Sequence, residues 1–189
     1  MAFWSGPDQE TKSVRCALEC QKQLTLMSEK WKREGLPLVQ CRIGINTGNV
    51  LLGNFGSSRR FNFTIIGDNV NCASRIESLN KIYGTNIMIG ESTYEKLDRE
   101  LKRLCRRAER VKVKGKSKEL LVYAVQGAHT DPSYDTAFEL YVNGNFEKAN
   151  ELFGDLEQDP LVKYKILQCD KYKMGTKVPW NGVVTLQDK

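Results

Sequence analysis

The chain has 189 residues, enough for one modest domain with an appendage and for a real buried core. Apolar residues make up 40% and charged residues 28%, the balance of a soluble globular protein, and no apolar run approaches a membrane span. The net charge of +6 points to an anionic partner, while the opening MAFWSGPDQE, with neither a basic leader nor a long apolar stretch, does not read as a secretory signal.

Met1 to Trp4 is a short apolar run stopped by Ser5-Gly6-Pro7, the pattern of a strand ending in a turn. A chain seldom begins flush with a core strand, so a preceding segment is expected. Helical spacing of Val14, Ala17, Leu18, Leu24, Met27 and Trp31 predicts a helix from about Asp8 to Glu34, ended by Gly35 and Pro37. Val39 to Val50, Leu51 to Phe55 and Phe61 to Ile66 are strand-like, with a basic turn at Ser57 to Arg60. Gly67-Asp68-Asn69 opens a helix over Val70 to Tyr83, with Gly84 just past its end. Asn86 to Ile89 reads as a short strand, Glu91 to Leu97 as a short helix, and Arg107 to Val125 as a hairpin turning at Gly115. Strands and helices mix without strict alternation, which predicts an α+β sheet covered by helices.

Nine Lys and Arg residues lie between Lys102 and Lys118, but Val111-Lys112-Val113-Lys114 alternates with period two. The stretch therefore reads as a solvated basic face or a mononucleotide phosphate contact rather than a nucleic-acid surface, since no nucleic-acid module accompanies it. The six cysteines lie scattered in apolar segments, and with one histidine, His129, far from them, buried free thiols in a reducing cytosol are expected rather than zinc or disulfides.

Asp131-Pro132 marks a linker, dividing residues 1–126 from a helical tail at 127–189. Two helices are predicted, Tyr134 to Gly154 and Pro160 to Met174, joined by an acidic turn. Phe146, Ala149 and Phe153 include the A-x-x-x-F spacing of a tetratricopeptide repeat. One repeat cannot bury its own face, so the tail is expected to pack on the main domain or on another protein. In the closing segment PWNGV, Trp180 reads as an anchor for the tail.

The stretch that carries chemistry is Phe63 to Arg75, FTIIGDNVNCASR. A strand runs through a glycine turn into a helix whose first N–H groups and dipole favour an anion. Asn71 and Arg75, four apart, project from one helical face; Arg offers a planar fork for phosphoryl oxygens and Asn can hold a hydroxyl or ring oxygen. Taken alone, this pattern reads first as a capped helix with a polar face and second as an anion site.

RIGINTGNVLLGNFGS (Arg42 to Ser57), followed by FTIIGDNVNCASRIES, closely resembles the signature of class III adenylyl and guanylyl cyclases. MAFWSGP resembles that family's strand after its second metal-binding aspartate, with Ser5 where many members have Gly. ERVKVKGKSKELLVYAV (Glu109 to Val125) resembles the family's closing hairpin, and the helical tail with PWNGV is similar to extensions after some microbial-type cyclase domains. The resemblance implies a ferredoxin-like cyclase sheet whose amino-terminal strands are missing, carrying a C-terminal helical hairpin. It implies that Asn71 orients the ribose, Arg75 stabilises charge developing on the α-phosphate, Lys114 contacts the terminal phosphates and Thr64 reads the purine edge. Thr at that position leans towards ATP over GTP. The implied reaction is attack of the ribose 3′-oxygen on the α-phosphate, releasing pyrophosphate and a cyclic nucleotide.

The family's two metal-binding aspartates would precede Met1, and Asp68 sits at a turn whose role is structural, so no metal ligand is assigned here. Mg²⁺ or Mn²⁺ is expected only in a complex with a cyclase-like partner, or an upstream segment, that supplies those carboxylates. Two functions follow from different classes: a half-site enzyme subunit in the cytoplasm, or an inactive cyclase-derived scaffold docking through its exposed strand and tail.

Overall fold

The computed structural model of the chain describes residues 1–57, 60–113, 119–126, 131–156, 159–175 and 179–186. Strands β1 (Ile43–Ile45), β4 (Ile87–Gly90), β5 (Cys105–Val113), β6 (Glu119–Val125) and β7 (Val184–Leu186) form one mixed sheet in the order β1-β4-β6-β5-β7. The outer pairs β1/β4 and β5/β7 are parallel, and β6 runs antiparallel to both β4 and β5. Strands β2 (Leu51–Ser57) and β3 (Arg60–Ile66) form a separate antiparallel hairpin. The described residues also include seven helices: α1 (Gln9–Arg33), α2 (Asp68–Tyr83), the short α3 (Glu91–Tyr94) and α4 (Arg99–Lys102), then α5 (Pro132–Val142), α6 (Phe146–Gly154) and α7 (Pro160–Lys173). None is long and apolar enough to cross a membrane.

Because side chains alternate along a strand, each central strand serves two cores. Met88, Val122 and Ala124 join the core beneath α2 and the tail helices. Their neighbours Ile87, Ile89, Tyr123 and Val125 join the opposite core, beneath Val14 and Ala17 of α1. Helix α2 contributes Cys72, Ile76, Leu79 and Tyr83, a stripe at helical spacing, and burying each of its large apolar side chains contributes about 1.5–3 kcal/mol. Gly44 is where α2 crosses β1: an added Cβ would meet the Glu77 backbone nitrogen at 2.2 Å and the Ala73 carbonyl oxygen at 2.4 Å.

The α+β class holds, and α2 and both predicted hairpins form, but several expectations need correction. Met1 to Trp4 is exposed irregular chain, not a strand, since it pairs with none of the described strands and an isolated strand is not stable. Of Val39 to Val50 only Ile43–Ile45 is extended ladder, its length set by its three-residue register with Ile87–Ile89. The helix expected over Tyr134 to Gly154 breaks at Asn143–Asn145, where the Asn145 side chain caps α6 by accepting from the Lys148 N–H. The described residues of the tail therefore hold three helices rather than the expected two. None of the six cysteines is in a disulfide, but only Cys72, Cys105 and Cys169 are buried; Cys16 and Cys20 lie on the flank of α1 away from its Val14–Ala17 stripe, and Cys41 is exposed beyond the helix. Burial pushes the Cys105 thiol up to about 12 and Cys169 up to about 11, which keeps both protonated at neutral pH.

The basic stretch is not a uniformly solvated face either. Arg106 is buried and ion-paired with Asp159, and Arg107 pairs with Asp135 and Glu139. A register shift between Arg107 and Glu109 sets Glu109 opposite Val122, on the same face as Arg106 opposite Ala124, so that Arg106, Arg107 and Glu109 find their partners in the tail rather than in solvent.

Candidate functional site

The site begins where β3 hands the chain to α2. Thr64 lies on β3, half-buried and opposite Gly53 in the hairpin register. Two residues later the strand ends, the chain turns at Gly67 with φ 142°, and α2 starts at Asp68 with a glycine, which has no side chain to cap the helix, at its N-cap. The backbone N–H groups of Val70 and Asn71 already return to the Gly67 carbonyl oxygen, at 3.1 and 3.3 Å. The partial positive charge of a helix start therefore sits beside the first residues of α2.

Asn71 is exposed and Arg75, one turn further, is half-buried. Their neighbours Cys72 and Ile76 are buried, each a rotation of about 100° further round the helix, so the polar pair lies along the flank of the buried stripe. A carboxamide and a permanent guanidinium at this spacing can hold a hydroxyl and a phosphoryl group together without any change of protonation. Thr64, Asn71 and Arg75 thus fall on one continuous strand–turn–helix unit. Lys114 and the turn at Gly115 lie outside the described residues.

What sequence reasoning missed is the polar frame that sets this unit in place. The Asn69 carboxamide donates to the Asn49 carbonyl oxygen at 2.9 Å and accepts from Asn46 Nδ2 at 3.1 Å. The Ser92 hydroxyl donates to the Thr47 carbonyl oxygen at 2.9 Å and lies 3.3 Å from Asn46 Oδ1, while the Thr47 and Thr93 hydroxyls meet at 3.0 Å. The loop between β1 and β2 is thereby tied to the starts of both α2 and α3. Three asparagines in INTGN and GDN are the only sequence trace of this frame, and asparagine in a loop ordinarily signals no more than a turn. At the other end of α2, buried Asn80 donates to the Ile43 and Glu77 carbonyl oxygens, each at 3.0 Å, and accepts from the Thr85 hydroxyl at 2.8 Å. Both ends of the helix are thus pinned to β1 and its loops.

Among the described residues no group of three or more His, Cys, Asp or Glu side chains is placed to hold a metal ion. The donor set present is amide, hydroxyl and guanidinium, which suits a polyanion and does not fit a divalent cation.

The profile of the adenylate and guanylate cyclase catalytic domain matches residues 1–127, and the chain belongs to that family. It is 34% identical over 130 residues to adenylate cyclase 1 of Rhizobium meliloti (strain 1021), covering 67% of this chain and 19% of that protein. It is 32% identical over 167 residues to the terminal-differentiation-specific adenylate cyclase of Dictyostelium discoideum, covering 81% of this chain and 8% of that protein. Among solved structures, the adenylyl cyclase CyaB from P. aeruginosa superposes with a TM-score of 0.54 at 31% identity, over 65% of this chain and 61% of that one. The chain therefore spans about a fifth of the length of the Rhizobium protein and less of the Dictyostelium one.

Proposed function

We propose that this chain supplies the Asn–Arg–Lys side of a nucleotidyl cyclase site and forms a cyclic nucleotide, cyclic AMP in preference to cyclic GMP, when a partner supplies the metal-binding side. The observation that carries this is the placement of Asn71 and Arg75 one turn apart on one flank of α2, behind a frame that fixes the entering loop. In this role Asn71 orients the ribose, Arg75 offsets charge growing on the α-phosphate as the 3′-oxygen attacks, and Lys114 holds the terminal phosphates. Thr64, at the end of the strand feeding the helix, meets the purine edge. Pyrophosphate leaves. Arginine suits the task because its charge is permanent and its donors are already arranged before reaction. The family's Mg²⁺ or Mn²⁺ would need carboxylates that the described residues do not group together, so no step is assigned to a metal on this chain.

The β2–β3 hairpin supports a two-chain site. By register Leu51 and Ile66 share one face of the hairpin with Thr64, and Leu52 and Phe63 share the other; all four are exposed, Leu51 at 67% and Phe63 at 66%, so both faces present apolar surface. The same surface favours a second function, a non-catalytic interaction module in which the hairpin docks but no nucleotide turns over.

Measuring cyclic-nucleotide production from ATP and GTP with Mg²⁺ or Mn²⁺ separates the two. The chain is assayed alone and mixed with a cyclase domain that keeps its metal aspartates but has lost its own Asn and Arg. The expected result is silence alone and activity in the mixture, reduced about 100- to 1000-fold by Arg75→Ala. Silence in a mixture shown to associate supports the interaction module. Activity from the chain alone overturns the half-site assignment.

A further inference from the structure

The C-terminal tail does not sit beside the cyclase fold; it completes one of its cores. Tyr134, Phe138, Tyr141, Phe153 and Leu161 of the tail share a single buried cluster with Ile76, Leu79 and Tyr83 of α2 and with Val111 and Val122 of the sheet. At its centre is a charge pair with no solvent contact: Lys165 Nζ of α7 lies 2.8 Å from Glu109 Oε2 of β5, and both side chains are 0% exposed. Tyr141 donates its hydroxyl to the same carboxylate oxygen at 3.3 Å, the Arg110 N–H donates to Glu109 Oε1 at 3.3 Å, and the ammonium lies 4.1 Å from the Tyr141 ring centre. Each charge is tolerable only with the other in place, because an isolated buried ion is far costlier than the pair.

Around this centre the docking is redundant. Arg107 of β5 reaches Asp135 at 3.0 Å and also Glu139, and its carbonyl oxygen accepts from the Tyr134 hydroxyl at 2.8 Å. Helix α7 also bears directly on α2. The Tyr164 ring meets the Tyr83 ring edge-on, with centroids 4.9 Å apart, and an added Cβ at Gly84 would lie 2.5 Å from Pro160 Cβ. One helix therefore braces β5 with its Lys165 and the end of α2 with its neighbouring Tyr164.

We propose that the tail helices are a fixed layer of the catalytic fold, in which Lys165, through Glu109, and Tyr164, through Tyr83, are positioning residues for the helix that carries Asn71 and Arg75. The catalytic consequence rests on the cyclase function proposed above; the mechanical coupling of α7 to α2 does not.

Amide hydrogen exchange on the full chain tests the coupling without reference to activity. Lys165→Met leaves Glu109 buried and unpaired, and is expected to speed exchange in α2 and α7 together by at least about tenfold. The double variant Glu109→Gln/Lys165→Met removes both charges, keeps an oxygen for Tyr141, and is expected to return both helices towards wild-type protection. Tyr164→Leu leaves the ion pair intact, so it is a milder probe should the first variant fail to fold; it is expected to speed exchange in the last turns of α2. In the complementation assay Tyr164→Leu should lower kcat about tenfold with KM held within about twofold, as for a displaced but still binding-competent site. If the exchange of α2 stays at the wild-type rate in Tyr164→Leu, or in Lys165→Met while α7 loosens, the proposal is wrong. A wild-type mixture without cyclase activity would sink the cyclase function and leave the exchange result to decide the coupling.

Discussion

Strand β5, of nine residues, and the β2–β3 hairpin, of two seven-residue strands, have opposite inventories. Strand β5 is rich in charge, yet Arg106 and Glu109 are buried and Arg107 is largely covered, each partnered by a residue of the tail. The hairpin is rich in apolar side chains, yet Leu51, Leu52, Phe63 and Ile66 are turned to solvent. Burial here follows what each surface packs against rather than hydropathy. The charged strand finds its counter-ions within the chain, although Arg106 Nε is buried without a hydrogen-bond partner, while the apolar side chains of the hairpin stand open to solvent.

The contrast breaks most visibly at Phe138, fully buried between the tail and β5. Phe138→Ala should cost about 3–5 kcal/mol in urea unfolding, and a loss below about 1 kcal/mol would show that the tail is not core. Next is the frame around the site. Asn69→Ala removes the side-chain donor to the Asn49 carbonyl oxygen and leaves Asn46 Nδ2 only the Asn69 carbonyl oxygen at 3.5 Å, and should cost about 0.5–1.5 kcal/mol while speeding amide exchange over the first turn of α2. Unchanged exchange there would mean that the loop, rather than the side chain, fixes the helix start.

A pH series sharpens the charged side of the comparison. Burial opposes the Asp159 charge, but the Val162 N–H and the Arg106 guanidinium outweigh it and hold the carboxyl below its ordinary value of 3.8. A depressed pKa stabilises the fold above 3.8, and that contribution is lost as pH falls through the lower folded value. Asp159→Asn should therefore be less stable than wild type at neutral pH, with the gap closing in acid below 3.8. A gap that is constant with pH would remove the ion pair from the tail's docking energy. The smallest effect belongs to the hairpin. Phe63→Ser should leave the stability of the isolated chain within about 0.5 kcal/mol of wild type, yet weaken association with a complementing cyclase domain measured by sedimentation. A large stability loss instead would mean that the hairpin's apolar face is used within the chain.

Helix α2 was legible because four buried positions recur at helical spacing and a glycine turn announces its start, and the same signals placed Asn71 and Arg75 on one side of it. The tail was harder. Phe146, Ala149 and Phe153 marked an amphipathic helix, but periodicity cannot say where its apolar face goes, and the burial of Lys165 contradicts every composition rule. Only the facing Glu109, remote in sequence, makes that lysine a core residue. The Met1 to Trp4 strand failed for the same reason in reverse: an apolar run specifies a strand only where a partner strand exists. Local pattern identified the elements that close on themselves, and missed those defined by what they touch.

The buried pair also orders events in time. Glu109 and Lys165 are 56 residues apart, so on a ribosome adding about 5–20 residues per second the carboxylate precedes its counter-ion by roughly 3–11 s. Until α7 emerges, the core above β5 can be covered only by α5 and α6, and its central carboxylate has no counter-ion. The nascent sheet must wait, with this charge unneutralised, for the last of the seven described helices.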